Sequence, residues 1–103
     1  MHIVKQLKLK TMEKKMYVLI YCYEGTDNTA PYSATLAVST DIEKLKSEME
    51  KCVAEDCEFD ENDKWADDKN FVVYARYDTE IALQHRTNIN IYAKYTIRSV
   101  DVL

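Results

Sequence analysis

With one glycine and one proline in 103 residues, this chain has few positions that favour sharp backbone turns. Phosphate-cradling loops need several glycines where the backbone closes on a ligand. Gly25 stands alone, so neither a Walker nor a Rossmann fingerprint is present. Two histidines and three cysteines leave little material for a catalytic or metal cluster. The cysteine count is odd and sparse, unlike the frameworks of small secreted domains. Cys22 sits in an apolar run and Cys52 on a predicted helix face, so both are expected as reduced, buried thiols. The longest apolar run, Met16 to Tyr23, is eight residues, against about 20 for a bilayer span. The basic N-terminus has no apolar stretch behind it, which predicts no secretory signal. These features together predict a cytoplasmic protein away from membranes.

What is present is ordinary globular material: 47% apolar and 31% charged residues. The length suits one core, on the scale of one sheet covered by one or two helices. The net charge of −4 hides a strong asymmetry. Residues 1–15 hold five lysines against one glutamate, a net of +4, and the rest of the chain nets −8. Within that body, residues 55–68 hold eight acids against Lys64 alone. The excess negative charge is therefore local. Residues 1–15 show no single periodicity and are expected to be a poorly ordered basic extension to one domain over 16–103.

From residue 16 the pattern predicts an α+β domain in the order ββαβββ, an antiparallel sheet of four or five strands under one amphipathic helix. Tyr17 to Tyr23 is β-branched and aromatic, with Val18, Ile20 and Cys22 on one face and Tyr17, Leu19, Tyr21 and Tyr23 on the other. Gly25 to Pro31 reads as a loop, and the two strands flanking it as an antiparallel hairpin. Tyr32 to Ser39 alternates, predicting Tyr32, Ala34, Leu36 and Val38 inward. Thr40-Asp41-Ile42-Glu43 has the form of a capping box with Thr40 as the cap. Ile42, Leu45, Met49, Cys52 and Val53 then recur at helical spacing. The helix should end near Asp56, where further acids oppose the dipole. Residues after it, through Phe59 and Trp65 to Asn70, form a loop. Strands are expected over Phe71–Tyr77 and Glu80–Arg86, the latter with Ile81, Leu83 and His85 on one side. In the last strand Ile89, Ile91, Ala93, Tyr95 and Ile97 share a face. The phase slip to Val100 and Val102 predicts a bulge or strand end near Arg98–Ser99.

Catalysis has little support in these residues. His85 on an apolar strand face is most simply a core residue, and no serine or cysteine has a nucleophile context. A small enzyme is the third-ranked reading, and the expectation is a non-catalytic protein with no cofactor. Cys52-x4-Cys57 with His85 supplies too few ligands for zinc. Asp56, Glu58 and Asp60 alternate as in a calcium loop, but Glu61 stands where that loop needs glycine. No metal is expected.

Two surfaces compete as binding sites. Phe59 and Trp65 interrupt the acids Asp60, Glu61, Asp63, Asp67 and Asp68, which is the composition of an anchor ringed by charge. Such a surface suits a basic protein partner, as a phosphate-mimicking inhibitor of a nucleic-acid-handling protein would present. The simpler version has Trp65 folded back as a lid over the helix–sheet seam. The alternative is a weak nucleic-acid face made by Tyr21 and Tyr23 beside Tyr92, Lys94 and Arg98 on an open side of the sheet. The negative body disfavours nucleic acid, while free sheet edges favour a homodimer.

The run Leu36-Ala37-Val38-Ser39-Thr40-Asp41-Ile42-Glu43-Lys44-Leu45, entered from Tyr17-Val18-Leu19-Ile20-Tyr21, resembles short open reading frames of phages and mobile elements. That resemblance covers roughly residues 16–50. It implies a small accessory or host-interaction protein, such as an inhibitor of a defence or nucleic-acid enzyme, and carries no catalytic residues with it.

Overall fold

The computed structural model describes residues 15–25, 31–66 and 69–101. It contains β1 (Lys15–Glu24), β2 (Tyr32–Ser39), α1 (Ile42–Asp56), β3 (Phe71–Arg76), β4 (Glu80–His85) and β5 (Tyr92–Asp101). The five strands form one sheet in the order β2-β1-β5-β4-β3, with every neighbouring pair antiparallel. β1 and β2 make a hairpin, α1 carries the chain to the far edge, and β3 to β5 meander back until β5 docks on β1. The result is the α+β order that the hydrophobic periods predict. The first strand begins at Lys15, one residue inside the segment expected as an extension; residues 1–14 lie outside the described residues.

One face of the sheet packs on α1. Leu45, Met49 and Val53, spaced four apart, lie on one stripe of the helix and are buried. They meet Leu19, Ile81, Leu83, Ala93, Tyr95 and Ile97. Leu19 sits at the middle of this layer, opposite Ile97 on one side and Ala37 on the other. Side chains buried this fully each contribute roughly 1.5–3 kcal/mol. The core is thus carried by the two long central strands and the helix stripe.

Four local expectations are corrected. The helix cap is Asp41, not Thr40: the Asp41 carboxylate accepts from the Glu43 N–H at 3.0 Å, and Ser39 Oγ accepts from the Asp41 N–H at 3.0 Å. A carboxylate satisfies the orphan donor and also meets the positive helix end. In β2, Ala37 pairs with Leu19 but Thr35 pairs with Ile20, so Leu36 is an extra residue. That bulge reverses the phase. Ala34 and Ala37 are half-buried, whereas Tyr32, Leu36 and Val38 are exposed.

β5 has no bulge near Arg98 and runs in regular register with β1 to Asp101. The phase slip has another cause. β4 begins at Glu80 opposite Thr96, so β5 has no β4 neighbour beyond that point, and Val100 pairs with Met16 on the face away from α1. Ile89 is exposed in the turn before β5 rather than on its buried face. Val102 lies outside the described residues. β3 carries a bulge of its own at Tyr74, between Val73 and Ala75, which the sequence pattern does not show.

Candidate functional site

The segment from Cys57 to Asn70 joins α1 to β3, and its backbone is anchored by two buried polar side chains. Asn70 is 0% exposed. Its Nδ2 donates to the carbonyls of Asp63 at 2.9 Å and Ala66 at 3.3 Å, and its Oδ1 accepts from the Asp60 N–H at 3.2 Å. One amide therefore ties three points of the loop together. His85, 2% exposed, works from the sheet side. Its Nδ1 accepts from the N–H groups of Thr87 and Asn88, each at 3.2 Å, which places the ring proton on Nε2. Nε2 then donates to the Ala66 carbonyl. Thr87 adds a hydroxyl donation to the Lys64 carbonyl at 2.9 Å. An apolar strand histidine is thus the floor of the loop.

Turns within the segment follow from its own residues. The Asp60 carboxylate accepts from the Asn62 N–H at 2.9 Å, and the Asp60 and Asp63 carbonyls accept from Asp63 and Ala66. Lys69 sits at φ 62°, a left-handed conformation that glycine would supply more cheaply. The chain's only glycine lies elsewhere, at Gly25.

With its backbone tied inward, the loop turns its side chains outward. Asp60, Glu61 and Asp63 are exposed. Trp65 is 67% exposed and Phe59 50% exposed. Trp65 is therefore not a lid over the helix–sheet seam. Each ring carries a cation from the protein itself: the Arg86 guanidinium lies 5.3 Å from the Phe59 centroid and Lys64 Nζ 5.9 Å from the Trp65 ring. Of the seven residues predicted here, Phe59, Asp60, Glu61, Asp63 and Trp65 share one ordered loop, while Asp67 and Asp68 lie outside the described residues. Asn70, which organises them, has only one signal in sequence: it is the uncharged polar residue between the acidic run and a strand.

The predicted nucleic-acid face is divided by the register. Tyr21 pairs with Tyr95 and Tyr23 with Ala93, on the side covered by α1. Cys22 pairs with Lys94 and Val18 with Arg98, on the opposite side. Tyr92, Lys94 and Arg98 do share the outer face, but without the tyrosines expected beside them. Tyr74 stands there instead. It lines a shallow hollow of about 230 Å³ with Cys22, Glu24, Ala82, Tyr92 and Lys94. Lys94 is already 3.7 Å from the Glu80 carboxylate.

Tyr21 belongs to a third cluster, at the end of α1. Its ring lies 5.0 Å from that of Tyr95, whose hydroxyl donates to the Asp56 carboxylate. Burial pushes the Tyr21 phenol up to about 12, with Asp56 adding to it. Burial and then the Asp56 hydrogen bond push Tyr95 higher still. The Cys52 and Cys57 thiols are also raised, chiefly by burial, and Cys22, Cys52 and Cys57 are all free thiols. A raised thiol is a poor nucleophile at neutral pH. These groups are held protonated, which suits a structural seam rather than acid–base exchange. Among the described residues, no three His, Cys, Asp or Glu side chains converge as a metal site, and no helix is long and apolar enough to cross a membrane. No family model, curated protein or solved structure matches the chain.

Proposed function

We propose that this protein is a non-catalytic interaction module whose loop of residues 57–70 docks on a basic protein partner. The observation that carries the reading is the wide exposure of the Trp65 indole on a loop whose backbone is tied to buried Asn70 and His85. A large aromatic held in water by an ordered scaffold loses little conformational freedom on binding, which is the character of an interface anchor. Asp60, Glu61 and Asp63 around it supply long-range attraction to a positive surface. Phe59 and Trp65 already accept cations in cis, and guanidinium or ammonium groups of a partner match the same ring faces. Phosphate-like negative charge on a firm backbone suits an inhibitor of a nucleic-acid-handling protein, in keeping with the accessory role that the phage and mobile-element resemblance implies.

The test is affinity capture from the native host with wild-type protein and with Asp60, Glu61, Asp63, Asp67 and Asp68 replaced by Asn or Gln. Capture at low salt should be lost in the variant, and wild-type protein should flow through heparin and immobilised oligonucleotide. Undiminished capture by the variant overturns the reading. Salt-eluted oligonucleotide binding would move the function to the outer sheet face.

A further inference from the structure

We propose that His85 is a pH-sensitive latch: a second proton on its ring releases the Thr87–Asn88 turn and, with it, the loop anchor beside Trp65. The ring is buried, and both of its nitrogens are committed. Nδ1 accepts from the Thr87 and Asn88 N–H groups, each at 3.2 Å, and Nε2 donates to the Ala66 carbonyl. Only the neutral ring with its proton on Nε2 makes all three bonds. An imidazolium is a donor at both nitrogens, so its Nδ1 proton points at two N–H groups. Thr87 Oγ1, 3.2 Å from Nδ1, can accept that proton. It does nothing for the two amides, which are left without an acceptor at a buried site. The Thr87–Asn88 backbone therefore leaves the ring.

The movement reaches the loop through one bond. The Thr87 hydroxyl donates to the Lys64 carbonyl at 2.9 Å, so displacing Thr87 frees the backbone next to Trp65. The release is selective. Nε2 remains a donor in the imidazolium, which keeps the Ala66 bond, and Asn70 still holds Asp60 and Asp63. Among the described residues, no carboxylate is bonded to the ring as a counter-charge. Phe71 of β3 meets it edge-on with centroids 5.3 Å apart, and Ile91, before β5, presents a carbonyl to the His85 N–H. At the end of α1, the Asp56 carboxylate accepts from Tyr95, and burial raises the Cys57 thiol and keeps it neutral. The loop acids Glu58, Asp60, Glu61 and Asp63 are exposed, and the neighbouring cations Arg86 and Lys64 lie over Phe59 and Trp65. Asp67 and Asp68 lie outside the described residues.

That the latch governs docking rests on the reading above, whereas the release belongs to the free protein, and the test uses the full wild-type chain alone. Nitrogen NMR of the imidazole from about pH 8 to about pH 5, the range in which histidine changes charge, should show Nδ1 taking up a proton. Protection factors of the Thr87 and Asn88 amides should fall about tenfold along the same curve, the scale of one hydrogen bond. Those of Asp60 and of β3 to β5 should not change. Fluorescence anisotropy of Trp65, the chain's one tryptophan, should fall in step, and His85→Gln should abolish the pH dependence. A ring that protonates while both amides stay protected overturns the proposal. So does an Nδ1 still unprotonated at about pH 5, or protection lost across the whole sheet at once. The ring and amide measurements use wild-type protein, so the result stands even if His85→Gln misfolds. Partner capture by the loop keeps its own test whichever way the latch is decided.

Discussion

The loop after α1 and the outer face of the sheet are built from the same materials, aromatic rings beside charged groups, yet only one of them is organised from beneath. Loop residues 57–66 rest on Asn70 and His85, both buried and both bonded to the loop backbone. On the outer face, Tyr74, Tyr92, Lys94 and Arg98 project from strands whose own buried side points the other way. Strand alternation decides that face, and it sends Tyr21 and Tyr23 to the helix side, where they pack half-buried against the core. A recognition surface needs its side chains held in place as well as present, and buried polar groups hold the loop.

Removing that support should have the largest effect. Asn70→Ala leaves the Asp60 N–H without its partner and takes one of two donors from each of the Asp63 and Ala66 carbonyls, and should cost about 3 kcal/mol in denaturant unfolding. Hydrogen exchange in residues 58–66 should rise in that variant well below global unfolding. If exchange there stays as in wild type, Asn70 is not what orders the loop. Trp65→Ala comes next and acts only on binding. Its ring is outside the core, so stability should stay within about 0.5 kcal/mol, while partner affinity should fall by about 2 kcal/mol or more.

The tyrosine cluster offers a smaller contrast, a polar contact that serves packing alone. Tyr95→Phe removes the hydroxyl that donates to Asp56 and should cost about 1 kcal/mol with no change in partner capture. The sign with pH follows from the raised phenols. Groups whose folded pKa lies above the unfolded value near 10 contribute stability fully below about pH 10 and lose it as pH rises through the folded value. Thermal stability should therefore hold to about pH 9, where the raised Cys52 and Cys57 thiols begin to count, and then fall, over a window that reaches about 12 for Tyr21, and Tyr95→Phe should flatten the upper part of that fall. A decline beginning near neutrality would contradict this assignment. The smallest effect expected is a gain: Lys69→Gly relieves a left-handed residue and should stabilise by about 0.5 kcal/mol.

Most of the framework was legible because it rests on period. The Leu45–Met49–Val53 stripe, the buried side of β4 and the two faces of β1 all follow from 3.6- and 2-residue spacing. The misread places are those where period fails. Leu36 and Tyr74 sit at bulges, which depend on the neighbouring strand and leave no mark in the strand itself. Asp41 displaced Thr40 because both are competent caps and a single residue of offset decides between them. In the candidate site, the acids and Trp65 stood out by composition, but Asn70 did not, since a satisfied buried amide looks like any loop residue until its three partners are placed around it. Tyr21 and Tyr92 fall on opposite faces, because pairing register decides that relation and two separate strands do not reveal it.

On the proposed reading the loop, and not the outer sheet face, carries recognition. Parallel capture from the native host with wild-type protein, Trp65→Ala and the double variant Lys94→Ala, Arg98→Ala tests it most directly. One partner should be retained by wild type and by the outer-face variant and lost by Trp65→Ala. Capture that survives Trp65→Ala but disappears with Lys94 and Arg98 would contradict it.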